Sequence, residues 1–189
     1  MENHQHKNRI LYIDIAKSIK ESDSAMLKKL PAFVVRILAK IVMQDPLNDV
    51  LTKYKDDVGY DFLTKMIAEL NLTVIIEGKE NLPQNTKCFF AANHPFGILD
   101  GLLLTHTVYS KYGQLKAIAN DAFMFLPHLR PLLTEVNVFG SSTKDHIKAL
   151  NEIYNSSIPI THFPAGEVSR KYDGKVQDTI WQKSFITKA

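Results

Sequence analysis

Cys88-Phe-Phe-Ala-Ala-Asn-His-Pro-Phe-Gly-Ile-Leu-Asp-Gly-Leu-Leu-Leu104 decides how this chain is read. Its first five residues are an apolar run that reads as a buried strand, and Leu102-Leu-Leu104 reads as the start of a buried helix. Between them stand a histidine, a proline, two glycines and an aspartate, all on a strand-to-helix junction. In open α/β sheets ligands bind beyond the carboxyl ends of the strands. The stretch therefore indicates both a fold class and the place where chemistry would lie.

Working outward, the same alternation repeats. Residues 72–76 (Leu-Thr-Val-Ile-Ile) read as a strand, as do residues 87–92, 115–119, 136–139 and 158–163. Helices are expected over residues 100–112, stopped by Gly113, over a short stretch at 123–126, and over 144–154. In the last of these Ile147, Leu150 and Ile153 form one stripe. Strands separated by helices imply an α/β fold, a mostly parallel sheet flanked by helices. The loops at 93–101, 120–121, 139–144 and 163–170 would then converge on one pocket.

Residues 1–70 read as a helical N-terminal region and residues 71–189 as the α/β domain. Residues 11–15 read as a short extended or docking segment, and Asp14 and Ser22 are candidate helix caps. Residues 24–30 favour helix, and Pro31 suits the first turn of the next one. In that helix Phe33, Val34, Ile37, Leu38, Ile41 and Val42 recur at three- and four-residue spacing, with Arg36 and Lys40 one turn apart. Its apolar face either packs on the main domain or meets a lipid surface with the two cations at headgroup level. Pro46 is expected to end the segment, with further helix at 49–54 and 60–70.

Composition bounds the function. The 189 residues suit one domain with a core, and 45% apolar with 23% charged content is that of a globular protein. A net charge of +3 fits an anionic surface or substrate and is too small to argue for nucleic acid. The single cysteine, Cys88, lies in an apolar run as a packing residue and fits a reducing compartment. The N-terminus is polar, and no apolar run reaches the roughly 18 residues of a membrane span.

Pro95 biases His94 toward an extended backbone, and Gly97 lets the loop turn back so that Asp100 reaches the imidazole. A carboxylate on one ring nitrogen fixes the tautomer and leaves the other nitrogen as a base. Such a base could take the proton of a hydroxyl or amine attacking an acyl carbonyl. No Ser or Cys adjoins His94, so direct transfer to an acceptor fits better than a covalent intermediate. Two other readings stay open: a metal-dependent hydrolase built on His94 and Asp100, and a non-catalytic lipid-binding protein. The first is weakened by the lack of any compact His-x-His or His-x3-His pair.

Asn93-His-Pro-Phe-Gly-Ile-Leu-Asp-Gly101 resembles the first block of the lysophospholipid (glycerolipid) acyltransferase family. Phe163-Pro-Ala-Gly-Glu167 is similar to that family's Phe-Pro-Glu-Gly block, and Val138-Phe-Gly140 resembles its middle block. The resemblance implies transfer of a fatty acyl group from acyl carrier protein or acyl-CoA to a lyso-lipid or aminolipid acceptor. It makes His94 the general base and Asp100 its orienter. Asn93, Gly97, Phe139, Gly140, Lys144, Phe163, Pro164, Gly166, Glu167 and Arg170 then become the substrate-binding candidates. No metal or cofactor is implied, since the thioester carries the driving force. The implied location is cytoplasmic, peripheral on the inner face of the membrane.

Departures from the pattern narrow the acceptor. Five residues separate His94 from Asp100 where the family usually has four, a form that looks like its hemolysin-like branch, related to aminolipid acyltransferases. Ala165 stands where a Glu is usual, Val168 where an Arg is usual, and the middle block lacks its Arg. Those arginines are held to grip a phosphate, which argues against a glycerol-phosphate acceptor and for one without a phosphomonoester. The family usually continues with another strand and a fourth block, so the α/β domain is expected to be incomplete at its C-terminus.

Overall fold

A computed structural model gives the fold and describes residues 11–120, 126–136, 144–183 and 186. The chain divides into two compact units, Met1–Asp57 and Val58–Ala189.

The first unit carries helices α1 (Ile15–Glu21), α2 (Ala25–Lys28), α3 (Ala32–Ile41) and α4 (Gln44–Lys53). Asp14 caps α1 by accepting from the Lys17 amide at 3.0 Å, as its position suggested. The cap of α2 is Ser24, whereas Ser22 ends α1. Pro31 occupies the N-cap of α3. Contrary to the expectation from sequence, Pro46 does not end the segment. It lies in the first turn of α4, where a missing N–H costs no intrahelical bond, and Met43 in the left-handed conformation makes the break instead.

Residues 11–15 do dock, and one side chain holds them. Fully buried Asn48 accepts from the Tyr12 and Ile13 amides at 2.8 and 2.9 Å, and its amide nitrogen donates to the Ile13 and Gln44 carbonyls at 2.7 and 2.9 Å. A buried carboxamide with every group paired is a specific anchor for a segment that has no ladder of its own.

In the second unit α5 (Gly59–Glu69) buries Phe62, Leu63, Met66 and Ile67 on one stripe. Strand β1 (Phe89–Ala91) leads into α6 (Ile98–Tyr112), which Gly113 terminates in the left-handed conformation, and then into β2 (Lys116–Asn120). Strand β3 (Leu133–Val136), α7 (Lys144–Tyr154) and β4 (Ile160–His162) follow. The four strands are all parallel, in the order β1-β4-β2-β3. Val108, Leu115 and Ala117 form a core cluster, with Phe90, Leu104, Tyr109, Tyr112 and Leu133 packed against it. The α/β class and the parallel sheet are thus as the sequence indicated.

Two strands differ from expectation. Residues 72–76 form no strand: among the described residues none pairs with them in a sheet, and Ile75 is 81% exposed. β-branched composition favours extended backbone, but a strand also needs a neighbour to take its N–H and C=O groups. The third sheet strand begins three residues earlier than 136–139, at Leu133. The expected short helix at 123–126 falls almost wholly outside the described residues. A hairpin that was not expected, β5 (Arg170–Tyr172) and β6 (Lys175–Gln177), turns through Asp173 and Gly174, both at positive φ.

Candidate active site

Strand order brings the site together. The chain leaves β1, passes through α6 to β2 and returns through β4, which inserts between β1 and β2. Ala91 of β1 stands opposite His162 of β4 in a parallel register, so the loops that follow both strands leave the same edge side by side. These are the segments that begin at Ala92 and at Phe163. A crevice beyond the carboxyl ends of adjacent strands is where such sheets hold ligands.

His94 sits in the first of these loops. Its Nδ1 lies 3.1 Å from Oδ2 of Asp100, in the first turn of α6, and the two side chains are only 16% and 15% exposed. Asp100 Oδ2 also accepts from the Phe96 amide at 2.7 Å, which fixes the carboxylate. Gly97 makes the return possible with φ 63 and ψ −121, a backbone conformation that an L side chain rarely adopts. An ionised carboxylate only accepts, so it assigns the neutral ring's proton to Nδ1 and leaves Nε2 as the basic nitrogen. Asp100 thus reaches the imidazole as the turn at Gly97 suggested.

The second loop supplies a wall. The ring of Phe163 stacks on the imidazole of His94 with centroids 4.1 Å apart and planes 20° from parallel. Pro164 and Ala165 are buried and anchor the loop, and Gly166 turns it at φ 71. Glu167 and Arg170 form an ion pair at 2.6 Å that stays largely exposed, 40% and 66% at the side chains. Asn93 is exposed beside His94. Phe139 and Gly140 lie outside the described residues; Lys144 begins α7, and its side chain is outside the description as well.

Sequence reasoning missed the hairpin's contribution. Its ladder pairs Arg170 with Gln177, which leaves Ser169 and Asp178 facing each other at its base. The Ser169 amide donates to the His94 carbonyl at 2.8 Å, and the His94 amide donates to Asp178 Oδ1 at 3.1 Å. Asp178 also accepts from the Ser169 hydroxyl through Oδ1, and from the Trp181 indole through Oδ2 at 2.7 Å. Burial pushes the Asp178 carboxyl up, but the Ser169, Trp181 and His94 hydrogen bonds and the charge of a protonated His94 outweigh it, holding the carboxyl below its ordinary range. Beyond Asp178 the chain straps the second loop, with the Gln182 amide donating to the Pro164 carbonyl at 3.0 Å. The readable signal was Asp173-Gly174 between two short extended runs, a strong hairpin cue.

The other titratable candidates are structural in their surroundings. Burial lowers His162 to about 4, which keeps it neutral, and its ring meets Phe89 edge-on at 6.1 Å. His106 stacks on Tyr60, and His128 is buried against Phe62. Burial pushes the Cys88 thiol up, the opposite of what an activated nucleophile needs. Among the described residues no three His, Cys, Asp or Glu side chains are grouped so as to hold a metal ion, and no helix is long and apolar enough to cross a membrane.

Comparison with known proteins finds relatives over most of the chain. A family described as "Acyltransferase" matches residues 17–189. A lyso-glycine lipid O-acyltransferase of Phocaeicola vulgatus is 40% identical over 181 residues, covering 95% of this chain and 65% of that protein. One of Bacteroides thetaiotaomicron is 36% identical over 181 residues, covering 95% of this chain and 66% of that protein. The chain thus spans just under two thirds of the length of these relatives. No solved structure matches it.

Proposed function

The chain belongs to the acyltransferase family, and on that premise we propose that it transfers a fatty acyl group from a thioester donor to the hydroxyl of a lyso-lipid. The donor is acyl carrier protein or acyl-CoA, and the acceptor is an aminolipid with a free hydroxyl, of the kind the relatives' names specify. The observation that carries this reading is the His94 Nδ1–Asp100 Oδ2 pair, half-buried beyond the carboxyl end of β1.

The chemistry follows from that geometry. With Nδ1 committed to Asp100, Nε2 takes the proton of the acceptor hydroxyl as its oxygen attacks the thioester carbonyl. Asp100 stabilises the imidazolium that forms. When the tetrahedral intermediate collapses, the C–S bond breaks and the imidazolium returns the proton to the leaving thiolate. The new ester carries the acyl group, and no metal or redox cofactor enters the balance. Phe163 keeps the ring from swinging out of line.

Recognition falls to the rim. Arg170, steered by Glu167, is a cation suited to the single carboxylate of an acidic aminolipid. Val168 and the middle block lack the arginines that the family is held to use on a phosphomonoester, which favours an acceptor without one. Association with the inner face of the membrane is assigned to α3, where exposed Phe33, Ile37 and Ile41 lie four residues apart and Arg36 and Lys40 flank them.

The test is to incubate the protein with acyl carrier protein or acyl-CoA donors and a panel of lyso-lipids, and to weigh the products. A mass increase of one acyl group on a lyso-aminolipid supports the reading. Transfer confined to lysophosphatidate would overturn the acceptor class.

A further inference from the structure

We propose that Asp178 is a positioning residue for His94, holding its backbone through the hairpin base while Asp100 holds its ring. The proposal rests on the acyltransferase reading for its kinetic consequences, but its structural core is independent of it.

His94 is followed by Pro95, which has no N–H, and it lies past the end of β1, where the last ladder-like bond is Ala92 N–H to the His162 carbonyl at 3.2 Å. Nothing in the sheet therefore fixes its peptide. The hairpin does so on both sides: Ser169 N–H reaches the His94 carbonyl at 2.8 Å, and Asp178 Oδ1 receives the His94 N–H at 3.1 Å. The Ser169 hydroxyl and the Trp181 indole then fix the Asp178 carboxylate itself. Three donors on one carboxylate define its position closely. One group of bonds thus joins the loop after β1, the segment after β4 and the strap over Pro164.

This carboxylate is not a core element. Every residue of β5 and β6 is exposed, so detaching the hairpin base leaves the buried sheet and helices intact. Its effect is on geometry: a general base displaced by about 1 Å can cost on the order of 100-fold in rate. Without Asp178 the His94 amide has lost its acceptor, and the loop is free to rotate about the peptide that carries the imidazole.

The experiment compares wild type with Asp178→Ala and Asp178→Asn in the full chain. Asparagine can still accept from His94 N–H and the Ser169 hydroxyl, but its NH2 faces the Trp181 indole and loses that bond. Asp178→Ala is expected to lower kcat by about 10- to 100-fold with the donor KM changed by less than about threefold. Asp178→Asn is expected to recover to within about fivefold of wild type. Trp181 is the single tryptophan, so its emission reports detachment of the hairpin base in each variant, and circular dichroism reports retention of the fold. Hydrogen exchange of the His94 amide, read by NMR, should accelerate at least tenfold in Asp178→Ala and stay near wild type in Asp178→Asn. A kcat within twofold of wild type in folded Asp178→Ala, or an unchanged kcat with a raised KM, overturns the positioning role. If the wild type transfers no acyl group to any acceptor, the acyltransferase reading fails; unchanged His94 exchange in Asp178→Ala would then overturn the positioning claim separately, and accelerated exchange would uphold it.

Discussion

The imidazole of His94 lies flat against the ring of Phe163, with centroids 4.1 Å apart and 20° between the planes. The two residues come from loops after neighbouring parallel strands, so the contact joins those two loops at one end of the sheet. Stacked aromatic pairs contribute roughly 0.5–1.5 kcal/mol beyond area burial. Phe163→Leu keeps most of the apolar volume but removes the flat wall, and it should lower kcat by about two- to tenfold while the melting temperature falls by no more than about 5 °C. Steady-state kinetics beside a thermal melt checks this; a lower melting temperature with normal kcat would make Phe163 a packing residue only.

Asp100→Asn is the companion test on the other side of the ring. The amide keeps the shape but removes the charge, and its NH2 can face Nδ1 as a donor, which reverses the tautomer. A base that depends on its orienter should lose roughly 100-fold or more in kcat, with substrate KM little affected. Equal losses in binding and turnover would point to a collapsed loop instead.

The sequence carried much of this site, and the reasons are local. His94, Asp100 and Gly97 belong to one turn, so spacing and φ preference alone place them together. Strands β1, β2 and β4 and helices α6 and α7 show as apolar runs with clear punctuation. Residues 72–76 carry the same composition without forming a strand, because pairing depends on a neighbour that composition does not reveal. Asp178 was invisible for a related reason. Its role depends on the register of β5 with β6, which Asp173-Gly174 announces only once the turn is recognised. Phe163 was legible as part of a block, but its stacking on His94 required the order in which β4 inserts beside β1.

Buried His162 predicts how stability follows pH. Burial lowers its folded value to about 4, while the unfolded chain titrates near 6.5, so between those values the unfolded state binds more protons. Stability from this group is present above about pH 6.5 and is lost as pH falls toward 4. Urea unfolding should show roughly 1–2 kcal/mol lost between pH 7 and pH 5, after allowing for partial solvent contact. In His162→Gln that part of the slope should vanish. An identical pH slope in both proteins would contradict it.

Helix α3 gives a separate expectation for the first unit. Placing a charge on its exposed apolar stripe should weaken lipid binding, because a carboxylate resists entering the interface. Ile37→Glu is expected to reduce sedimentation with vesicles containing phosphatidylglycerol by about tenfold, while Arg36→Gln should reduce it less and lose its salt dependence. Equal binding by all three proteins would remove α3 as the membrane contact.

The most direct measurement is acyl transfer by His94→Ala, with donor, acceptor and folded state matched to wild type. Removing the base while Asp100, Phe163 and Asp178 remain should lower kcat by roughly 100-fold or more, with lyso-lipid binding retained. Full transfer by a folded His94→Ala protein would contradict the assignment of His94 as the general base.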